Sequence, residues 1–267
     1  MSTALAVVSD GWVVAKRNLT KIRRVPDLLI FSSIQPIMLV LLFAYVFGGS
    51  IKLHGVGYRE YLMPGIFTQT VGFTAAVTAI GLAEDLHHGV IDRFRSLPMS
   101  RSAVLVGRTT SDLINNVIVV VVMTLCGLLV GWRIHTDVLR GASGFVLLLG
   151  FGYVMSWVCS AIGLSVKSVE VAQTAVFMWM FPLTFLSNAY ISTASLPKAL
   201  QVFADWNPVS SFVLALRDLW GNSAAGADRG SGFPADHPIL LSVAWIVVIL
   251  AVFVPLSVDR YRRASFH

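Results

Sequence analysis

The sequence predicts an all-α polytopic membrane protein of six transmembrane helices, and three observations carry that prediction. Of 267 residues, 56% are hydrophobic and only 13% charged, and the mean hydropathy is +0.76, far from the mixture of a soluble domain. Continuous apolar runs of about 20 residues, the length a helix needs to cross a hydrocarbon core, occupy 28–48, 62–82, 113–133, 143–165, 171–191 and 238–258. Lys and Arg gather at alternate ends of these runs. The runs are unbroken and about twice the length of an alternating barrel strand, so the spans are expected to be helices.

Ahead of the first span, Leu5, Val8, Trp12, Ala15, Leu19 and Ile22 recur at steps of three and four, with Lys16, Arg17, Lys21, Arg23 and Arg24 on the other faces. That pattern predicts an amphipathic helix lying on the inner leaflet over 1–26, stopped by Pro26. It serves as a plain anchor or as a transmitter of movement, and the pattern leaves both open. The segment is too polar for the apolar core of a signal peptide, so the first span is expected to stay in the protein. The transmembrane domain then covers 27–265.

Orientation follows from charge. Five Lys/Arg precede the first span, Arg93, Arg95, Arg101 and Arg108 lie between the second and third, Lys167 between the fourth and fifth, and Arg260, Arg262 and Arg263 after the sixth. By the positive-inside rule both termini face the cytoplasm of a bacterial cell membrane. The basic balance therefore reports topology and contact with anionic lipid, and no extramembrane segment is long enough for a nucleic-acid-binding fold. Cys126 and Cys159 fall in separate spans and read as small buried hydrophobes, so neither a disulfide nor a metal pair is expected.

The spans hold few ionisable groups, which argues against a carrier driven by protons or ions. Asp112 follows Arg108 by one turn where the third span begins, and the expectation is an i,i+4 pair near the headgroups. Neutral polar residues are more numerous: Gln35, Thr68, Gln69, Thr70, Asn115, Asn116, Gln173, Thr174 and Asn188. Helix–helix hydrogen bonding accounts for such residues without a substrate. Phe177, Phe181 and Phe185 recur every fourth residue and face either lipid and core or a wide apolar cavity. Gly127-x-x-x-Gly131 permits close helix approach.

On the outer side, the connection 192–237 contains two short amphipathic stretches around Leu200–Phe203–Trp206 and Phe212–Leu216–Leu219, expected to dip into the outer leaflet or cap an exit. Residues 221–234, rich in Gly and small side chains, read as a loop.

Between the second and third spans lies a charged island, 84–101. Ile91, Phe94 and Leu97 make an apolar ridge at steps of three; Glu84, Asp85, Asp92, Arg93 and Arg95 surround it, and Pro98 stops the helix. A solvated loop would leave Phe94 and Leu97 exposed without reason, so the island is expected to grip another protein. Asp85, His87 and His88 are also the best candidates for an enzyme's metal site, but adjacent histidines in a loop do not share one metal as i,i+4 ligands do, and no third ligand stands at a suitable spacing.

The island GVIDRFRSLPMSR (89–101) with Val104–Arg108, set between the second and third spans, and the later Asn207, Pro208 and Arg217 resemble the ABC-2 type permeases, in particular their daunorubicin/doxorubicin-resistance branch. The order of elements agrees over nearly the whole chain. The resemblance implies half of the membrane pore of an ATP-driven exporter, paired with a second permease copy or paralogue. It also implies that the island is a cytoplasmic coupling helix entering a groove on a separate ABC ATPase subunit, which binds the ATP and Mg. The sequence agrees with that division of labour: no Gly is followed by Lys, so a Walker A loop is absent and no cofactor is expected in this chain. Substrate passing between paired copies would meet Gln35, Gln69 and Gln173 as neutral hydrogen-bonding groups and Phe177 and Phe181 as flat apolar faces. Drugs or other amphipathic compounds are the expected cargo; lipid or glycan export and a membrane-embedded lipid-modifying enzyme are the alternatives.

Overall fold

The computed structural model describes residues 34, 37–42, 45, 57–88, 101–166, 168–190, 196–223, 229 and 232–263. The expected amphipathic helix at 1–26, most of the first span including Gln35, and the island from 89 to 100 lie outside the described residues.

Among the described residues the chain is all-α. Helices α1 (Tyr58–Thr74) and α2 (Ala76–His87) form one rod with a turn at Ala75. There Ala75 N–H bonds to Gly72 O and Thr78 N–H to Ala75 O, so i,i+3 bonds tighten the ladder where the Thr74 hydroxyl bonds back to Thr70 O. α3 (Arg101–Val130) follows the island, then α4 (Val138–Gly163), α5 (Val169–Phe185), α6 (Lys198–Trp206), α7 (Pro208–Trp220), the single turn α8 (Phe233–Asp236) and α9 (Pro238–Arg263). Four helical stretches are long and apolar enough to cross a membrane: Tyr58–His87, Leu105–Val130, Val138–Gly163 and Pro238–Arg263. α5 is apolar but shorter.

The helices differ from the expected spans at several ends, three of which have a local cause. α3 starts at Arg101 and not near 113, because a helix with no proline in its path continues beyond the hydrocarbon; its 30 residues reach about 45 Å, well over the ~30 Å core. It ends three residues early, at Gly131 with φ +100. Gly131 N–H bonds to Leu128 O and Trp132 N–H to Gly127 O, the paired bonds of a Schellman cap, which needs a residue at positive φ. α5 ends at Phe185 and not at 191, because Leu186 leaves the helical region at ψ 42 while its N–H closes the last turn on Pro182 O.

α4 is the hub, packing against α1, α2, α3, α5, α7 and α9. Its glycines explain why. A Cβ on Gly152 would meet Val71 of α1 and Asn116 of α3, and one on Gly163 would meet the backbone of Ala79 in α2. Small residues let neighbouring helices approach to backbone contact, the main source of association where lipid removes the hydrophobic drive. α9, by contrast, keeps much of its surface outward: Val243, Val247, Val248 and Val252 are exposed.

The connection between α5 and α9 departs furthest from expectation. α6 is an amphipathic helix with Val202, Phe203 and Trp206 exposed, but α7 is not a surface segment. Eleven of its 13 residues are buried, and it packs between α1, α4 and α9. Phe212 lies against Phe151 with centroids 4.6 Å apart, and Phe151 is 13 residues, about 20 Å, into α4. α6 and α7 thus form a re-entrant hairpin with its tip at Asn207-Pro208. Irregular backbone at that depth is tolerated only where protein satisfies it. Asn207 supplies the partners: its amide N–H2 donates to Leu183 O (2.6 Å) and Leu186 O (2.9 Å), and its Oδ1 accepts from Val209 N–H (2.8 Å). The other end of α7 closes at Gly221, φ +70, with Asn222 N–H on Arg217 O.

Around that end of α7 Phe67, Trp132, Phe145 and Trp220 form an aromatic cluster with centroids 5.1–6.5 Å apart. Both indoles keep a partner: Trp132 Nε1–H donates to Asn222 Oδ1 (2.8 Å) and Trp220 Nε1–H to Gly141 O (3.2 Å).

Candidate translocation cavity and island stem

α1 and α5 face each other across an opening of about 450 Å³ lined by Leu39, Gln69, Thr70, Phe73, Thr74, Val77, Asn115, Phe177, Phe181 and Phe185. Helical spacing builds its two walls. On α1 and α2, residues 69, 70, 73, 74 and 77 share one stripe; on α5, 177, 181 and 185 share another. The α5 stripe is a ladder of rings: Phe177 to Phe181 5.8 Å, and Phe181 to Phe185 5.6 Å with planes 11° apart. Phe73 from α1 meets both Phe177 and Phe181 at 5.5 Å. Phe181 and Phe185 remain 46% and 59% exposed, so the ladder is an open surface and not a packed core.

The polar lining is neutral. Among the described residues Gln69 Oε1 is buried with no hydrogen-bond partner, an unsatisfied acceptor just beneath the surface of this wall. Thr74 spends its hydroxyl on Thr70 O. Asn115 faces the opening, whereas its neighbour Asn116 is wholly buried at the junction with Val71 and Gly152.

Of the residues expected on a pathway, Gln69, Phe177 and Phe181 therefore converge on one opening. Gln173 lies on the adjoining outward face of α5 with Thr174 and Met178, and Gln35 lies outside the described residues. Phe73, Thr74 and Asn115 join the lining without having been singled out for it. Their signal was the period: Phe73 stands four residues after Gln69, and Asn115 opens the Asn-Asn pair of the third span.

Below the opening stands the stem of the island. Glu84 and Asp85 close α2; Ile91, Asp92, Arg93, Phe94, Arg95, Leu97 and Pro98 lie outside the described residues. Asp85 pairs with Arg108 of α3 (3.7 Å), which also lies 4.0 Å from Asp112 in the expected i,i+4 pair. Arg108 donates to Val77 O (3.1 Å), and Thr78 Oγ1–H donates to Asp112 Oδ2 (2.6 Å). Asp85 thus turns toward its own chain and not simply outward. At the start of α5, Ser168 caps the helix by accepting from Val171 N–H, and the Glu170 carboxyl, bonded to its own backbone N–H and to Ser168, is held below the usual carboxylate range.

At the opposite end Arg217 is buried in α7. Its Nε–H donates to Tyr61 O (3.0 Å) and its Nη2 to Asn188 O (3.1 Å) and Ala189 O (3.2 Å), while the guanidinium lies 3.6 Å from the Tyr61 ring centroid. It ties α1 to the turn after α5, the two walls of the opening, at the end away from Asp85 and Arg108. Its place as the one cation in an otherwise apolar and small-residue stretch, 208–217, was the available signal. Among the described residues no three His, Cys, Asp or Glu come together as a metal site. His87 and His88 stack edge to face at 5.6 Å.

Comparison with known proteins gives a consistent set. The model of the ABC-2 type transporter family matches residues 10–219. The daunorubicin resistance ABC transporter permease protein DrrB1 of Streptomyces coeruleorubidus is 30% identical over 251 residues, 94% of this chain and 85% of that protein. The doxorubicin resistance ABC transporter permease protein DrrB of Mycobacterium tuberculosis is 27% identical over 193 residues, 72% of this chain and 66% of that protein. A putative transport permease, ycf38, of Cyanophora paradoxa is 23% identical over 227 residues, covering 83% and 78%.

Proposed function

The chain belongs to the ABC-2 type transporter family, and from that premise we propose that it is the permease subunit of an ATP-driven exporter of drug-like, amphipathic compounds. The observation that carries the reading is the open, neutral, ring-lined cavity between α1 and α5. Stacked phenyl faces bind flat or cationic apolar molecules, and the unpaired Gln69 acceptor takes a ligand N–H or O–H. No fixed charge in the lining demands a counter-charge on the cargo, which suits a range of related compounds.

The chain's own residues receive, orient and release the cargo, while the energy comes from a separate ATPase that holds ATP and Mg. The island between α2 and α3 docks on that subunit through Ile91, Phe94 and Leu97, with both termini on the same cytoplasmic side. A second permease copy or paralogue completes the pathway against the open face of α5, where Gln173, Phe181 and Phe185 are exposed or half-buried. Export through a cell membrane then moves cargo from the cytosol or inner leaflet outward, past the outer ends of α1 and α5.

The test is co-expression with the ATP-binding subunit in a drug-sensitive host. Wild type should lower daunorubicin accumulation, and Phe94→Asp or Leu97→Asp should abolish that while the permease stays in the membrane, because a carboxylate on the apolar ridge opposes docking. Full ATPase association and export in the Asp variants would sink the docking assignment. Unchanged drug accumulation with altered outer-leaflet lipid would replace drug export with lipid export.

A further inference from the structure

The island is suspended between His87 at the end of α2 and Arg101 at the start of α3. A lever of this kind transmits a push only if its two stems move as one body, and among the described residues Arg108 makes the polar link nearest the island. From the second turn of α3, Arg108 lays its guanidinium along α2: Nη2 donates to Val77 O (3.1 Å), the head rests on Gly81, and Nη1 stands 3.7 Å from Asp85. Positions 77, 81 and 85 are successive turns on one face of α2. A Cβ at Gly81 would overlap the guanidinium, so the absence of a side chain there is what lets Arg108 cross. From α3 itself Asp112 approaches Arg108 Nε at 4.0 Å, and Thr78 of α2 fixes Asp112 through its hydroxyl at 2.6 Å. The Arg108, Asp85 and Asp112 side chains are only 15, 24 and 12% exposed, which limits screening by water and salt. A planar fork with five donors reaches a carbonyl and two carboxylates at once; an ammonium does not.

The upper end of the same cluster touches the cavity. Val77, whose carbonyl receives Arg108, lines the opening, as do Thr74 one turn above it and Asn115, three residues after Asp112. The cluster is therefore contiguous with the island stems at one end and the cavity wall at the other.

We propose that Arg108 is a positioning residue for export, clasping both stems of the island over Gly81 so that movement of the ATPase reaches the cavity wall at Val77. This rests on the exporter reading above. The test uses the permease reconstituted in liposomes with its ATP-binding subunit, with daunorubicin as probe, and measures drug moved per ATP hydrolysed. Arg108→Gln removes the clasp, and Gly81→Leu displaces it while keeping every charge; both should leave basal hydrolysis and complex assembly within about twofold of wild type and lower drug moved per ATP at least tenfold. Arg108→Lys should fall between. Exchanging the pair, Arg108→Asp with Asp85→Arg, should recover at least a third of the coupling lost by either half alone. Coupling unchanged in Gly81→Leu overturns the proposal, as does a fall in assembled protein that the exchange does not restore, since the cluster would then serve only stability. Coupling insensitive to Arg108 but lost in Phe94→Asp would overturn the clasp and keep the exporter. Wild type that moves no drug and shows no drug-dependent hydrolysis would bring down both.

Discussion

At Asn207 one amide satisfies three backbone groups that have no water to turn to: Leu183 O, Leu186 O and Val209 N–H. Asn207→Leu, close in volume, should cost about 2–4 kcal/mol, taking about 1 kcal/mol for each lost bond plus part of the burial cost of the orphaned groups, read as a lower denaturation midpoint in mixed micelles. A change below about 0.5 kcal/mol would mean the tip finds other partners. On the cavity wall, Gln69→Ala and Phe181→Ala should reorder the compounds exported, with a shift of several-fold between a hydroxyl-rich and a hydroxyl-poor anthracycline, while membrane level stays constant. Uniform loss across compounds would mark these side chains as packing only. Gln69, Phe177 and Phe181 were legible in the sequence because polar or aromatic residues inside a span need a reason, and a four-residue period places them together. Gly81 was not, since it matters through what crosses it; Arg217 stood out beside Asn207-Pro208, but its partners, the carbonyls of Tyr61, Asn188 and Ala189, are not brought near by any periodicity.

The glycines of α1 and α4 give a graded prediction for helix packing. A methyl group at Gly163 meets the Ala79 backbone, which cannot yield without moving α2, whereas one at Gly72 meets the end of the Met180 side chain and the Phe151 ring edge. Gly163→Ala should destabilise by about 1–3 kcal/mol, and Gly72→Ala by less, offset by the roughly 1 kcal/mol that Ala gains over Gly inside a helix. The reverse order in thermal stability would refute the close approach of α4 to α2. Helix existence was plain from apolar run length, but ends were not. α3 runs twelve residues upstream of its hydropathy boundary because helical hydrogen bonds do not stop at the membrane surface, while the backbone turns at Leu186 and Gly131 end α5 and α3 short of theirs. α7 was read as peripheral since 13 residues cannot span, although such a segment enters a protein-lined site without spanning.

For the whole molecule, the all-α membrane class followed from composition together with the length of the unbroken apolar runs, and orientation is open to direct labelling. With Cys126 and Cys159 replaced by Ala, a single cysteine at Gly226 should react with an impermeant thiol reagent in intact cells, and one at Ser96 only after the membrane is opened; early reaction at Ser96 would invert the topology. The cavity and the site in which the hairpin packs were beyond sequence reading because they arise between helices distant in the chain. That distance bears on biogenesis. Arg217 takes its partners from residues 156, 29 and 28 positions earlier, and Asn207 reaches back 24 and 21. When the hairpin leaves the ribosome, the helices that form its berth have already been made, and α9, which packs on its outer side, is still to come. The order of synthesis thus permits assembly in the same order: a socket, then the short polar-tipped hairpin that could not lodge in bare lipid, then the long apolar helix that packs over it.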